Sequence, residues 1–421
     1  MKIAFVIQRY GSEILGGSEY HCRLIAERLA ERHDVEVLTT CARDYITWNN
    51  EYPEGTDRVR GVTVRRFANA HPRDIEAFNR YSEWVFNHPH SREDERQWLE
   101  QQGPWCPALL DHLERNHRAF DALIFFTYLY APTVLGLSVA PQKSILVPTA
   151  HDEPAIRLGI YREMFALPAA VAYNTEVERR FLTAEFAIRA VAEETVGCGV
   201  DLPQESHERK EPEDDLQADG DAPAPAGGAP GRWPAQSRGA AFRGRHKFHD
   251  AFALYGGRIE KGKGCEELVE YFSTYHEGGG HLTLALMGVK LMPLPEEPYI
   301  RFAGLLSERE RLQALEAATV VIVPSPFESL SLLALEAFAV GTPVLANARS
   351  EVLVDHCLRS NAGLFYADRD EFVECLKRLA VDDRLRAQMG RNGRAYVRDH
   401  YRWDIIMGKY DRLIAKVRGG A

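Results

Sequence analysis

Short runs of apolar, often β-branched residues alternate along the chain with segments whose apolar positions recur every three or four residues. This alternation is typical of parallel βαβ units. In the first half it predicts strands at Ile3–Ile7, Val35–Thr39, Thr63–Phe67, Ala122–Phe126, Ser144–Thr149 and Val171–Asn174. A helix is predicted from about Ser18 to Arg32, with Tyr20, Leu24, Ile25 and Leu29 on one face.

The same order of elements starts again in the second half. The segment "AFALYGGRIEKGKGCEELVEYF" reads as a strand, a glycine-bearing loop and a helix. Further strands are predicted at Leu282–Met287, Ile300–Ala303, Val320–Val323, Pro343–Ala346 and Leu364–Tyr366. The predicted fold class is therefore α/β, with two Rossmann-like, doubly wound domains in tandem.

The segment between the two halves has a different composition. The stretch "QESHERKEPEDDLQADGDAPAPAGGAPG" lacks aromatic residues and is rich in Pro, Ala, Gly and acids, so it cannot build a core. We predict a disordered insertion over 202–250, with a regulatory or partner-docking segment as the alternative. This insertion separates a first domain, 1–201, from a second, 251–400. Residues 401–421 read as an amphipathic helix that needs a partner surface.

Composition narrows the class of protein. The 421 residues suit two domains of about 200 residues each, and 45% hydrophobic content predicts substantial cores. A net charge of −10, without a recurring basic stripe, argues against nucleic acid as a partner. Seven scattered cysteines predict reduced core thiols, and neither a signal peptide nor a membrane span is expected. We expect a cytoplasmic protein, with association at the inner face of the membrane left open.

Two glutamates interrupt the apolar segment "PSPFESLSLLALEAF", residues 324–338. If a helix starts near Glu328, Glu336 lies about 12 Å further along it, so the pair could hold the two ends of one elongated ligand. The N–H groups of Ser329, Leu330 and Ser331 would then be helix N-terminal donors able to bind an anion. Hydroxyls at both ends and phosphates between them describe a nucleotide sugar. The alternatives are an acid favoured by the helix dipole for Glu328, and an arginine-paired acid for Glu336.

Three other motifs contain residues that could take part in binding or catalysis. Arg258 and Lys263 follow a predicted strand in "YGGRIEKGKG", where two cations could neutralise a diphosphate, although a solvated basic turn is the alternative. The glycines of "LGGSEY" allow close backbone approach to a ligand. His151 follows a buried strand and is either a site residue or a structural histidine. Asp370 is expected to cap a helix and not to bind a metal.

Taken together, these motifs resemble the retaining glycosyltransferases of family four, which have the GT-B fold. The resemblance rests on "GGSE", "GCGVD", "GRIEKGKG" and "PFESLSLLALEAFAVGTPV", the last being the most specific. It covers nearly the whole chain outside the insertion. It implies two Rossmann-like domains facing a central cleft, with a C-terminal helix that crosses back to the first domain.

The resemblance also implies roles for individual residues. Glu328 would bind the hydroxyls of the donor sugar and Glu336 those of the ribose, while Arg258 and Lys263 would hold the diphosphate. His151 would lie near the reacting centre. Gly16 and Gly17 would lie beside the phosphates, with Ser329, Leu330 and Ser331 also contacting the donor. The chain departs from the family at Ser329 and Ser331, where glycines are usual, so a smaller pocket beside the sugar is expected.

The implied activity is retaining transfer of a sugar from a nucleoside diphosphate sugar to a hydroxyl group. No metal or other cofactor is expected, because the cations and a helix N-terminus would stabilise the leaving diphosphate. The acceptor would be a glycan, a lipid-linked glycan or a small molecule, as in polysaccharide biosynthesis. The alternatives are a nucleotide-sugar epimerase of similar fold and a non-catalytic sugar-nucleotide-binding protein.

Overall fold

The computed structural model describes residues 1–14, 16–202 and 235–419 of the chain. The backbone divides into two units. Unit 1 comprises Met1–Gly199, Phe327–Ser331 and Trp403–Ala421. Unit 2 comprises Val200–Pro326 and Leu332–Arg402. Each unit is built around its own sheet, as the repeated order of elements in the sequence predicts.

The sheet of unit 1 has eight strands in the described residues, in the order β3-β4-β2-β1-β5-β6-β7-β8. They are β1 Lys2–Val6, β2 Asp34–Thr40, β3 Gly55–Val59, β4 Val62–Phe67, β5 Ala122–Phe126, β6 Ser144–Val147, β7 Ala170–Tyr173 and β8 Ala192–Thr195. All pairs are parallel except β3 with β4. The six predicted strands are confirmed to within two residues, whereas β3 and β8 were not predicted because neither has a continuous apolar run.

Eight α-helices of unit 1 lie in the described residues. They are α1 Gly17–Ala30, α2 Ile75–Asn87, α3 Arg92–Gln102, α4 Pro107–Asn116, α5 Ala131–Gly136, α6 Gly159–Met164, α7 Glu176–Glu185 and α15 Trp403–Gly419. Although α15 follows unit 2 in the chain, it belongs to unit 1, as predicted for the C-terminal helix. Its buried face includes Trp403, Ile406 and Tyr410, and the Lys409 side chain donates to the carbonyl of Thr195.

The sheet of unit 2 has six described strands, all parallel, in the order β11-β10-β9-β12-β13-β14. They are β9 Phe252–Gly256, β10 Thr283–Met287, β11 Ile300–Gly304, β12 Val320–Val323, β13 Val344–Asn347 and β14 Gly363–Tyr366. The helices are α8 Ala235–His246, α9 Cys265–Glu277, α10 Glu308–Ala317, α11 Leu332–Val340, α12 Glu351–Ser360, α13 Arg369–Val381 and α14 Asp383–His400. The doubly wound prediction is confirmed for this unit too.

The predicted disordered insertion needs correction at its C-terminal end. Residues 203–234 lie outside the described part of the chain, but 235–246 form helix α8. This helix packs on α10: Arg243 donates to the carbonyl of Ala317, and Gly239 lies against the same residue. Phe242 of α8 and Phe248, just after the helix, are both buried, and their rings stack on each other. Two buried aromatic residues, and a glycine that lets the helix pack closely on α10, therefore order a segment whose basic, Gly- and Ala-rich composition suggested a linker.

Two further expectations concern cysteines and the membrane. All seven cysteines lie in the described residues, and they form no disulfide; six of them are buried. In the part of the chain that the structure describes, no helix combines the length and apolar character needed to cross a bilayer.

Candidate functional site

Two loops meet at the carboxyl edge of the unit 2 sheet. Strands β9 and β12 are parallel neighbours, so the loops that follow them emerge at the same edge, where open α/β sheets bind ligands. Gly264, in the first loop, has φ +75°, and a Cβ there would lie 2.3 Å from the carbonyl oxygen of Pro324 in the second. Only glycine accommodates both the left-handed backbone and this approach.

Both predicted cations lie in the first of these loops and are partly exposed. The Lys263 Nζ lies 3.4 Å from the hydroxyl of Ser325, in the loop after β12. Arg258 lies nearer the strand end, with Nη2 3.2 Å from Glu260 Oε1. The structure therefore places both charges at the carboxyl edge, and brings Lys263 to the second loop. The predicted strand-loop-helix arrangement around them is confirmed.

Glu336 is buried in the middle of α11. Its Oε1 pairs with Arg311 Nη2 of α10 at 2.7 Å, so the arginine-paired alternative is correct for one oxygen. Within the described residues, Oε2 is enclosed and has no hydrogen-bond partner. Burial raises the pKa of Glu336 above its ordinary value, and the Arg311 charge only partly opposes that rise. A buried acceptor without a donor is unfavourable, so Oε2 needs a partner that the described residues do not supply.

The predicted start of the helix is wrong. Helix α11 begins at Leu332, so Glu328, Ser329 and Leu330 lie in the preceding loop. Ser331 has φ +62°, a left-handed backbone that cannot form part of a right-handed helix. The N–H groups of residues 329–331 are therefore not donors of the first helical turn. The helical spacing of about 12 Å between the two glutamates does not apply either.

Residues 327–331 group with unit 1 and contact its loops. The His151 ring, just after β6, stacks on Phe327 with centroids 5.5 Å apart. Its Nε2 lies 3.7 Å from Glu153 Oε1. The Asn174 amide, just after β7, lies 3.2 Å from the Ser329 hydroxyl. His151, Ser329 and Phe327 thus lie close together at the carboxyl edge of the unit 1 sheet.

The two N-terminal glycines differ in their surroundings. Gly16 precedes α1, and a Cβ there would lie 2.2 Å from Glu19 Oε2. Glu19 is buried and pairs with Arg9 Nη2 at 2.6 Å. Burial alone would raise its pKa, but Arg9 and neighbouring hydrogen bonds bring it below the ordinary value. No described atom lies within 4 Å of a Cβ placed on Gly17, so the first turn of α1 is open at that residue.

Sequence reasoning missed several supporting side chains. Arg311, which holds Glu336, lies 25 residues away on another helix and carries no local signal. Arg9 was overlooked although it lies three residues after the end of β1, at the edge where open α/β sheets bind ligands. The cap of α13 is Asp368, whose side chain accepts from the Glu371 N–H, and not Asp370 as predicted.

Comparison with known proteins identifies the class of the second unit. Residues 251–382 match the family model described as Glycosyl transferases group 1. Among curated relatives, glycosyltransferase 1 domain-containing protein 1 of Xenopus tropicalis is 26% identical over 162 residues, 36% of this chain and 46% of its own length. The MMP alpha-(1->4)-mannosyltransferase of Mycolicibacterium hassiacum is 34% identical over 121 residues, 27% of this chain and 29% of its own. The matches span less than half of these relatives.

Solved structures extend the similarity over the whole chain. Sucrose-phosphate synthase from Thermosynechococcus elongatus aligns with a TM-score of 0.66 at 17% identity, covering 100% of both chains. HepE of Anabaena, in complex with UDP and glucose, gives 0.66 at 14% identity, covering 99% of both. These values establish a common fold. The chain has the GT-B fold of glycosyltransferases, and its second unit contains a glycosyl transferases group 1 region.

Proposed function

We propose that the protein is a glycosyltransferase that uses a nucleoside diphosphate sugar as donor and a hydroxyl group as acceptor. The observation that carries the proposal is the position of Arg258 and Lys263 in the loop after β9, where Lys263 reaches the loop after the neighbouring strand β12, inside the region that matches glycosyl transferases group 1. Two cations at such an edge can neutralise the charge that develops on a departing diphosphate. HepE, of the same fold, binds UDP-glucose.

Each predicted residue keeps a proposed role. Arg258 and Lys263 hold the diphosphate, and Glu336 accepts from the ribose hydroxyls through Oε2. Because Oε2 is enclosed in this conformation, that contact requires a shift of the surrounding side chains. Glu328 and His151 contact the donor sugar at the reacting centre.

Five remaining positions contribute backbone or small side chains. Gly16 and Gly17 admit the phosphates. Ser329 and Ser331, with the backbone of Leu330, shape the donor pocket.

The finer proposal is transfer with retention of anomeric configuration and without a metal or other cofactor. The acceptor hydroxyl attacks on the face that the diphosphate leaves, while the cations take up the charge of the leaving group. None of the candidate residues is an obvious covalent nucleophile, which agrees with a front-face reaction. The acceptor class is a glycan, lipid-linked glycan or small molecule, as in polysaccharide biosynthesis. The proposed location is the cytoplasm, with binding to the inner face of the membrane as a further possibility to test.

The deciding experiment measures donor binding and then transfer. Calorimetric titration with a panel of nucleoside diphosphate sugars should give saturable binding for at least one. Lys263→Ala should lower turnover by roughly 100-fold, since a charge-stabilising group is removed. Lys261→Ala is the matched control: this lysine shares the loop but points to solvent, pairing with Glu266 at 3.0 Å, and its loss should change little.

The possible outcomes separate the alternatives. Binding of no nucleotide sugar would refute the proposal. Binding without transfer to any acceptor, and without conversion of the sugar, would favour a non-catalytic binding protein. Conversion of the donor sugar in the absence of an acceptor would indicate an epimerase.

A further inference from the structure

The carboxyl edge of the unit 1 sheet contains a buried acid for which the proposed mechanism gives no role. Glu178, in the first turn of α7, is 1% exposed. Its Oε1 accepts from the backbone N–H of Ala150 and its Oε2 from that of Asn174, both at 2.5 Å. These two residues follow the neighbouring parallel strands β6 and β7. One carboxyl group therefore links two loops at the edge where His151 lies.

The backbone beside this link is strained. Thr149 has φ +52° and Thr127, after β5, has φ +67°. Both are β-branched, and such residues adopt left-handed backbone only where the surroundings impose it. The two hydroxyls lie 3.1 Å apart, and the Ala150 N–H that Glu178 accepts is the next peptide after Thr149. One hydrogen bond of Glu178 therefore ends on the peptide next to this strained backbone.

This conformation determines where His151 lies. His151 follows Ala150 directly, and its ring stacks on Phe327 in the segment that also carries Glu328 and Ser329. A loop released from Glu178 could relax at Thr149 and carry the imidazole with it. A displacement of about 1 Å at a reacting group can lower a rate by roughly 100-fold.

We propose that Glu178 is a positioning residue for His151: by accepting from Ala150 and Asn174 it holds the strained loop after β6 in the geometry that sugar transfer requires. The proposal rests on the proposed function, because it needs His151 at the reacting centre. Glu178 itself touches neither donor nor acceptor.

The chain offers a matched control in Glu95 of α3. This buried carboxylate also accepts from two successive backbone N–H groups, those of Gly159 and Ile160, at 2.7 and 2.9 Å. These donors lie at the start of α6, separate from His151 in the chain, and Glu95 also pairs with Arg92. Glu95→Gln therefore repeats the chemical change of Glu178→Gln at a buried carboxylate to which the proposed function gives no role.

The conditions of the assay follow from the environment of Glu178. Burial raises the pKa of Glu178 to about 8, although the two N–H donors oppose the rise. The titratable groups that face Glu178 are Tyr173 and Tyr410. Burial raises the pKa of both tyrosines above the usual value, so both are neutral in this range. At about pH 9 the wild-type protein therefore has an ionised Glu178 carboxylate, which accepts both N–H groups. In the Glu178→Gln variant the side-chain oxygen can accept only one of them, and the side-chain NH₂ group, itself a donor, faces the other.

At that pH, and well below the melting temperature of either variant, Glu178→Gln should lower kcat by at least about tenfold. The KM for the donor should stay within about twofold, since the diphosphate contacts are intact. Hydrogen exchange should quicken in peptides covering 149–153 and 174–175. Glu95→Gln should change neither kcat nor exchange in those peptides. An unchanged kcat for Glu178→Gln, an equal loss in both variants, or a change confined to KM would overturn the proposal.

Failure of the proposed function gives a different pattern. If no nucleotide sugar binds the wild-type protein, or if His151→Ala retains full kcat, the catalytic role assigned to His151 is wrong. The exchange measurement still reports whether Glu178 holds the loop. Normal exchange at 149–153 in Glu178→Gln would overturn the anchoring itself, whatever the activity.

Discussion

Replacing Ser331 with glycine should stabilise the protein. Ser331 occupies left-handed backbone at φ +62°, which costs an L-residue about 1–2 kcal/mol. Glycine removes that cost but loses about 0.5–1 kcal/mol through its greater freedom in the unfolded chain. The expected net gain in the free energy of unfolding is therefore about 0.5–1 kcal/mol. The residue is buried, so the removed hydroxyl must be controlled for separately.

Urea unfolding of four proteins tests this reasoning. Ser331→Ala removes the hydroxyl and keeps the strain, so it should be no more stable than the wild type. Ser329→Gly makes the same exchange two residues earlier, outside the left-handed region, and should lose about 0.5–1 kcal/mol. The midpoint should rise for Ser331→Gly alone, with an unchanged m-value. A Ser331→Gly variant as stable as Ser331→Ala, or less stable, would refute the assignment of strain.

Three further predictions concern single sites. Gly264→Ala should destabilise unit 2 by more than about 2 kcal/mol, because the new Cβ would collide with Pro324 and the alanine would have to adopt a positive φ. Thermal melting measures this loss, and a normal melting temperature would contradict it. Burial lowers the pKa of His21 to about 4 in the folded protein. The stability that neutral His21 contributes is therefore fully present above the pKa of the unfolded chain, and it is lost as the pH falls towards 4. Between pH 7.5 and 5 the wild type should lose about 2 kcal/mol more stability than His21→Leu, and parallel pH profiles in urea would exclude this effect. Ile406→Ala should cost about 2–5 kcal/mol, with faster hydrogen exchange in unit 1 but not in unit 2; equal effects on both would be evidence against the assignment of α15.

The central strands could be predicted because burial on both faces leaves continuous apolar runs. The edge strand β3 could not, since four of its five residues are exposed and its pairing with β4 rests on backbone hydrogen bonds. Helix α8 could not be predicted because its composition is typical of a linker, although one fully buried aromatic residue, Phe242, anchors it.

Some residues of the candidate site could likewise be predicted from the sequence, and others could not. Arg258 and Lys263 could be assigned because they lie in the loop that follows a predicted strand, and chain position alone fixes the edge at which that loop lies. The start of α11 could not, because it depends on the backbone of Ser331 in the folded protein. Arg311 and Glu178 act through partners 25 and 28 residues away on other elements, and no local pattern indicates such pairs.

Helix α15 also constrains the order in which the protein can fold during synthesis. Unit 1 is made of the first 199 residues, the short segment 327–331 and the segment from Trp403 onward. Helix α15 can therefore cover its surface on unit 1 only after unit 2 has been translated. At about 5–20 residues per second, roughly 200 intervening residues take about 10–40 s. Through that interval, the nascent first unit exposes the apolar surface that later buries Ile406, Tyr410 and Val417. Unit 2, continuous but for the five residues 327–331, can fold earlier, and we expect chaperone contacts on the ribosome to concentrate on unit 1.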